Sequence, residues 1–261
     1  MRTILLSFDL RADFGVFKKP DVNEGLQLTF NMLHKPALLG ILGAIAGLEG
    51  YRTKGVFPEY YRQLQALRVG IEPLEGWHER GSFTKTVIKY TNTVGYANAD
   101  GNLLITEQTL RQPAYRCYLL LNADEPVQQA LYERIRAGEA EFLPYLGKNE
   151  CAAWWDAASV MEYPFRETKP LEAFPVSTIF RTDGWTIQKE KTDTFDKFDL
   201  FDFSSKRQNF AYFERLPVDF DEQLVQYRLA SFAYTNFELK PTAPLENLLY
   251  LPNEHKYAYL F

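Results

Sequence analysis

The chain has 261 residues, a length that accommodates one large domain or two smaller ones. Its residues are 46% hydrophobic and 24% charged, as in ordinary folded proteins, and no apolar run approaches the roughly 20 residues of a membrane-spanning helix. The formal net charge of −5 argues against an indiscriminate nucleic-acid binder, although a mildly basic region up to residue 120 still permits one local site.

The first fifty residues predict a strand, a polar loop and a glycine-rich helix. Residues 3–10 are apolar and β-branched, with Asp9 near the end, so we predict a first strand rather than a signal peptide. Residues 11–25 contain glycine and proline and are typical of a loop. Residues 36–48, PALLGILGAIAGL, begin with a proline that suits the first helical turn and carry leucines at helical spacing.

Three glycines, Gly40, Gly43 and Gly47, share one face of this predicted helix. Each costs about 1 kcal/mol relative to alanine inside a helix, so a close approach must offset the loss. We expect that face to pack on a β-sheet, with approach to an RNA backbone as the alternative.

The middle of the chain predicts an inserted β-hairpin. A helix at 58–66 and a strand at 67–74 precede a long polar stretch, residues 77–112. Residues 81–99 contain no acidic residue but include Lys85 and Lys89. Alternation over 84–94 and a turn signal at 98–101 favour a hairpin between two core strands.

A strand at 114–121, a helix at 127–137 and a short strand at 142–146 complete the order βαββαβ, with the hairpin inserted before the third strand. This is the order of ferredoxin-like domains and of RNA-recognition modules. Prolines and short apolar strands follow residue 155. We therefore predict an α+β protein with a ferredoxin-like, RRM-like domain over 1–155, a hairpin thumb at about 77–112, and a smaller β-rich domain over 156–261.

The two cysteines, Cys117 and Cys151, match neither a metal-binding nor a redox spacing. We expect them to be core thiols in a reducing compartment, and we predict a cytoplasmic location, no metal site and no cofactor.

Four ordered segments resemble the Cas five family, the RAMP-type subunits of type I CRISPR effector complexes, and the pattern is most similar to the type I-B branch. The segments are FDLRADFGVFKKPDVN at 8–23, TFNMLHKPALLGILGAIAGL at 29–48, EQTLRQPAYRCYLLL at 107–121 and EFLPYLGKNECAAW at 141–154. The likeness covers residues 1–155 and is thin beyond them.

The resemblance implies a non-catalytic subunit that binds the 5′ handle of the CRISPR RNA. It also implies contacts with the Cas seven backbone subunit and the Cas eight large subunit, and an indirect role in targeting viral DNA. No membrane partner is implied.

RNA binding requires cations and backbone N–H groups for phosphates, and flat side chains for bases. The loop after the first strand, the start of the glycine-rich helix with its N–H groups, and the hairpin supply these groups. The candidate RNA-binding residues are Arg11, Phe14, Lys18, Lys19, His34, Lys35, Lys85, Lys89, Tyr90, Tyr96, Arg111 and Lys148. Each has a structural alternative, since the lysines also suit a solvated surface and Phe14 and its neighbour Phe17 suit a core.

A metal-independent endoribonuclease is the alternative function, because His34, Lys35, His78 and a tyrosine could supply a base, a cation and an acid. The three histidines have no paired spacing, however, and residues 112–116 lack the histidine of the RNA-cutting type I-C relatives. We therefore predict no catalytic residue and no enzyme activity. A protein–protein adaptor whose basic patches are incidental is a third possibility.

Overall fold

The structure is a computed structural model, and it describes residues 2–21, 25–91, 104–183, 200–202 and 209–261. In these ranges the α-helices are α1 (Lys35–Ala46), α2 (Glu59–Leu64) and α3 (Pro126–Ala137), and a short 3-10 helix spans Ala157–Ser159. None of the α-helices in the described ranges has the length and hydrophobicity needed to span a lipid bilayer.

The strands differ widely in length, from two residues to eleven. In the first 163 residues they are β1 (Thr3–Ala12), β2 (Phe14–Gly15), β3 (Phe17–Lys18), β4 (Leu26–Gln27), β5 (Thr29–Phe30), β6 (Arg68–Pro73), β7 (Lys85–Thr91), β8 (Leu104–Arg111), β9 (Ala114–Asn122), β10 (Ala153–Trp154) and β11 (Met161–Tyr163). The later strands are β12 (Arg166–Glu167), β13 (Phe174–Pro175), β14 (Phe180–Arg181), β15 (Phe201–Asp202), β16 (Ala211–Asp221), β17 (Gln226–Thr235), β18 (Glu238–Leu239), β19 (Leu248–Leu251) and β20 (Lys256–Tyr259).

A central antiparallel sheet has the strand order β10-β1-β9-β6, and β11 continues the β10 edge along β1. Successive side chains of a strand point to opposite faces. Leu6, Phe8 and Leu10 of β1 therefore belong to the large core that contains α1 and α3. Leu5 points to the other face, where it packs in a second cluster with residues of β19 and β20. We call these the inner and outer faces of the sheet.

The helices and long strands predicted for residues 1–137 are confirmed to within a few residues, but the fourth strand is misplaced. Residues 142–146 were expected to form it, whereas the sheet is completed by β10 at Ala153–Trp154. In the predicted segment only an isolated bridge joins Tyr145 to Ala152. Pro144 lacks an N–H for a ladder hydrogen bond, and Leu143 is largely exposed, so this stretch is an irregular segment rather than a strand.

The glycine face of α1 packs against another helix, so the expected packing on a sheet is wrong. A Cβ on Gly43 would overlap the side chain of Tyr60, and one on Gly40 would lie 3.8 Å from the same ring. Tyr60 belongs to α2, so the close approach that offsets the glycines is helix to helix. Gly47 adopts φ +81° and caps the helix at its end.

The inserted hairpin is formed by β7 and β8, which pair antiparallel from Lys85–Leu110 to Thr91–Leu104. The opposite edge of β8 pairs with β2 and β4, so the base of the hairpin is joined to the loop after β1. The predicted turn at 98–101 lies outside the described residues.

The later part of the chain is β-rich, and its sheets have the orders β12-β19-β20, β13-β18-β15 and β14-β17-β16. Leu216 and Phe232 from this part belong to the same buried cluster as Leu6 and Phe8 of β1. The apolar core is thus continuous across residue 155, and the division into domains at that residue stays a prediction.

A buried polar cluster centred on Asn31 also joins the two halves. Its side chain donates to the carbonyl oxygen of Gly81 and accepts from the N–H of Phe83 and the ammonium of Lys85. Its backbone N–H donates to the Glu214 carboxylate at 3.0 Å. Hydrogen bonds to charged groups contribute about 1.5–3 kcal/mol each, so this cluster fixes β16 against the hairpin base.

The turn at residues 146–148 is held against the start of the chain. The N–H of Val16 donates to the carbonyl oxygen of Leu146 at 3.0 Å. Gly147 adopts φ +84°, and a Cβ there would overlap the Val16 carbonyl oxygen. Only glycine therefore fits this approach of backbone to backbone.

We predict that Gly147→Ala destabilises the protein far more than Gly55→Ala. Both glycines have φ near +80°, and the left-handed conformation costs alanine about 1–2 kcal/mol. At Gly55 a Cβ meets nothing within 4 Å, whereas at Gly147 the Val16 backbone must move. We expect a further loss of about 2 kcal/mol or more for Gly147→Ala in urea unfolding. Equal losses for the two variants would contradict the close packing of this turn.

Candidate nucleic-acid interface

A groove with a volume of about 790 Å³ runs beside α1. Small residues of α1, Ala37, Gly40 and Ala44, form part of its lining. The irregular segment 142–148 and the side chains of Tyr51 and Tyr60 supply further walls. The glycine-containing face of α1 therefore lines the groove and also lets α2 approach closely.

Exposed aromatic and apolar side chains line this groove. Tyr51 is 55% exposed, Phe142 54%, Leu143 69% and Tyr145 42%. Flat, half-exposed rings offer faces on which nucleobases stack, and each stacked base contributes about 1–3 kcal/mol. The groove thus presents exposed rings of the kind on which nucleobases can stack.

Two lysines lie in the groove lining, Lys18 and Lys148. Lys18 lies on β3 and is exposed. The ammonium of Lys148 is 2.5 Å from the carboxylate of Glu107, whose side chain is 1% exposed, and it lies 5.0 Å from the centre of the Tyr90 ring. Burial opposes the charge of Lys148, but the hydrogen bond and charge of Glu107 outweigh it and raise the pKa. Lys148 is therefore cationic at neutral pH.

His34, expected to contact phosphate, is instead a neutral helix cap. Its ring is 3% exposed and meets the edges of Phe17, Phe30 and Tyr227. Burial lowers the pKa of His34 to about 3. Its Nδ1 accepts from the N–H of Ala37 at 3.3 Å, while the His34 carbonyl accepts from the N–H of Leu38.

The start of α1 is consequently satisfied by the protein itself. The N–H groups at this helix start were predicted to hold a phosphate, but that of Leu38 already donates to the His34 carbonyl oxygen at 3.0 Å. Lys35, also predicted to bind RNA, donates to the carbonyl oxygen of Phe261 at 3.1 Å. Burial lowers the pKa of Lys35 to about 8, although the charge of Asp219 opposes that change.

Two further candidate lysines are engaged by the Asn31 cluster. Lys19 forms a 3.3 Å ion pair with Glu214 and lies 5.1 Å from the centre of the Phe30 ring. Lys85 donates to the Asn31 side chain at 2.9 Å, and burial lowers its pKa. These ammonium groups face protein partners, and the structural explanation accounts for both.

The remaining candidates lie on the hairpin, on the strand beside its base and on the central sheet, apart from Tyr96. Phe14 and Arg111 are opposite one another on β2 and β8 and both are exposed, so Phe14 is not the core residue that the alternative had favoured. Lys89 and Tyr90 are exposed on β7, on opposite faces of that strand. Arg11 lies on the outer face of the central sheet, away from the groove. Tyr96 lies outside the described residues.

Sequence reasoning missed the aromatic lining of the groove. Tyr51, Phe142 and Tyr145 come from two segments about ninety residues apart and meet only in the folded chain. The one available signal was the 141–154 segment, which had been singled out for its Leu-Gly-Lys turn. Within the described ranges, no group of three His, Cys, Asp or Glu side chains is placed to hold a metal ion.

No protein-family model matches the chain, and no curated protein matches it either. Among solved structures, a chain from the cryo-EM structure of the type III-B Cmr-beta bound to cognate target RNA and AMPPnP matches with TM-score 0.50 and 8% identity, covering 98% of each chain. The chain therefore shares its fold with that chain of the Cmr-beta structure. A chain of a CRISPR RNA-guided surveillance complex aligns at TM-score 0.47 and 14% identity, over 89% of this chain and 91% of that one. The likeness to CRISPR-associated proteins is confirmed for the fold, while the Cas five family and its branch stay predictions.

We predict that His34 makes the stability depend on pH. Its pKa is lower in the folded chain than the ordinary 6.5, so acid favours the unfolded state, and stability is lost as the pH falls below about 6.5. The loss approaches about 1.4 kcal/mol per pH unit for one such group. In His34→Asn the side chain still caps α1 but does not titrate. Urea unfolding from about pH 7 to about pH 5 should give a shallower slope for His34→Asn than for the natural chain. Parallel slopes would show that His34 is accessible to protons in the folded state.

Proposed function

We propose that the protein is a non-catalytic subunit of a CRISPR RNA-guided effector complex and that it holds the 5′ handle of the guide RNA in the groove beside α1. The observation that carries this proposal is the combination of exposed rings with Lys18, which forms no ion pair among the described residues, along one groove beside an inserted hairpin. Rings stack bases and lysines neutralise phosphates, which are the two requirements of single-stranded RNA binding.

The finer architecture belongs to the same proposal. The order β10-β1-β9-β6, with helices on one face, supports a ferredoxin-like interpretation of residues 1–155. Pairing of β7 with β8 supports a thumb that extends from the groove, because Lys148 lies over Tyr90 of the hairpin. Residues 156–261 would form the smaller domain.

The assembly is proposed on the resemblance to the Cas five family. In it, the subunit contacts the Cas seven backbone subunit and the Cas eight large subunit in the cytoplasm, in a type I-B complex that targets viral DNA. The exposed apolar side chains outside the groove, such as Leu171 at 93% exposure, are compatible with contacts of this kind.

The histidines support a role without catalysis. His34 is buried and neutral, so it is a poor acid or base for RNA. His78 accepts from the N–H of Gly81 at 3.0 Å, and burial lowers its pKa. His255 lies near Tyr250 of β19, in the β12-β19-β20 sheet, with 3.3 Å between its Nδ1 and the hydroxyl oxygen of Tyr250. The positions of these side chains do not form a cleavage site in the groove.

We predict that Lys18→Ala and Tyr145→Ala weaken RNA binding in different ways. Loss of one phosphate contact lowers the slope of log K against log salt by about 0.7 for a single strand. Loss of a stacked base should weaken binding about fivefold to a hundredfold and leave the slope unchanged. Fluorescence anisotropy with labelled CRISPR repeat RNA, titrated at several salt concentrations, measures both quantities.

Lys169→Ala is the matched control, because Lys169 is an exposed lysine outside the groove. It should leave affinity and slope unchanged. If all three variants bind as the natural chain does, RNA does not occupy the groove.

We also predict that the purified protein leaves labelled repeat RNA intact in EDTA, at a protein excess and over hours. Specific cleavage that is lost in His34→Ala would contradict the non-catalytic proposal and favour a metal-independent endoribonuclease. Cleavage that persists in His34→Ala and in an independent preparation would also contradict it, and would place the catalytic groups elsewhere.

A further inference from the structure

A row of three flat side chains crosses one end of the outer face of the central sheet, on the side opposite α1. Arg11 of β1 is the direct cross-strand partner of Trp154 on β10, so the two side chains point to the same face. On the other side, the guanidinium carbon of Arg11 lies 5.2 Å from the centre of the Trp77 ring. We call Trp154, Arg11 and Trp77 the Trp–Arg row.

The row is open to solvent. Trp77 is 38% exposed, Trp154 is 46% exposed and the Arg11 side chain is 40% exposed. Strands β19 and β20 cover the other end of this face, where Leu5 and Tyr118 are buried, but they leave this end uncovered. Two half-exposed tryptophans on one surface are a feature that fold stability does not explain, because burial would stabilise both.

The charges around the row favour an anionic ligand. Asp9 is bound by Arg116 through two hydrogen bonds of 2.7 and 3.1 Å. Arg11 lies 3.8 Å from the same carboxylate, too far for a hydrogen bond. Glu72, the cross-strand neighbour of Arg116, is paired with Lys256 at 3.3 Å, so it does not balance Arg11. The carboxylate of Asp9 thus faces two guanidinium groups, and one positive charge is left in excess. The Nε–H of Arg11 is shielded from solvent and has no hydrogen-bond partner among the described residues, so only the outer nitrogens of this exposed side chain can reach a ligand.

We propose that the Trp–Arg row is a second binding surface for single-stranded nucleic acid. Bases stack on Trp77 and Trp154, and the outer guanidinium nitrogens of Arg11 bind a phosphate or a base edge between them. Protein partners also use tryptophan and arginine, but the centre of such an interface is depleted of unbalanced charge. The excess charge and the exposed guanidinium end of Arg11 favour the nucleic acid.

This surface is separate from the groove of the proposed function. Odd-numbered residues of β1 reach the outer face, whereas α1 covers the inner face through Leu6, Phe8 and Leu10. A strand bound at the row therefore lies across the sheet from a strand bound beside α1. The row extends the proposed function, and its test does not depend on the groove.

The test is made in the Lys18→Ala/Tyr145→Ala background, in which the groove is impaired. Labelled oligo(U) and oligo(dT) of about twelve nucleotides are titrated into this protein, and their anisotropy is followed together with quenching of tryptophan fluorescence. We expect binding and quenching with at least one of the two oligomers. Binding of oligo(U) only, oligo(dT) only, or both identifies RNA, DNA or either strand as the ligand.

Trp154→Leu should weaken this binding about tenfold, whereas Trp154→Phe, which keeps a flat ring, should retain most of it. Arg11→Gln should weaken binding and lower its salt dependence, because a cation is lost. Thermal unfolding of each variant shows whether the exposed positions tolerate the change. The fluorescence of Trp155 is the internal reference for the quenching measurement. This side chain packs against the core, and its indole N–H donates to the carbonyl oxygen of Ile135.

Three results would overturn the proposal. One is the absence of binding by both oligomers in the groove-impaired background. The second is equal binding by Trp154→Leu and Trp154→Phe. The third is loss of assembly with another subunit in Trp154→Leu without any change in oligomer binding, which would identify the row as a protein interface. The first result leaves the groove proposal standing, since the natural chain is assayed beside the background.

Discussion

The groove depends on the turn at residues 146–148, which is held in place by two separate contacts. Gly147 lies against the Val16 carbonyl, and Lys148 reaches the buried carboxylate of Glu107. Removing Lys148 would leave the buried carboxylate of Glu107 without a charge partner, which is unfavourable. The turn therefore holds the aromatic segment 142–145 in place. It also fixes the ammonium of Lys148 at the edge of the groove.

The same principle explains how an acidic protein can present a local cationic surface. Lys19 and Lys85 bind inside the Asn31–Glu214 cluster, where their charges hold two halves of the chain together. Lys18 is left to face the solvent at the groove. In the proposed function, RNA is recognised by a few placed cations and by rings, rather than by overall charge, which at −5 repels RNA. The outer face of the sheet repeats this arrangement on a smaller scale around Arg11.

Local patterns predicted the regular elements well, because helical spacing, alternation and capping residues act over a few neighbours. The helix after Pro36 and the strands on both sides of the hairpin were found in this way. Patterns failed where a distant contact decides the outcome. The glycine face of α1 is explained by Tyr60, and the neutral state of His34 by rings from three segments. The segment around Tyr145 lies outside the regular helices and strands, and only the folded chain shows that it lines the same groove as α1.

The most direct measurement is photo-crosslinking of repeat RNA that carries 4-thiouridine at successive positions of the handle, followed by mass spectrometry of the joined peptides. If the groove holds the handle, crosslinks fall on peptides containing Tyr51 or residues 142–148. An excess of repeat RNA without 4-thiouridine, added before irradiation, prevents these crosslinks by competition. Crosslinks confined to the β12, β19 and β20 sheet, with none on the groove peptides, would contradict the assignment of the groove as the RNA site.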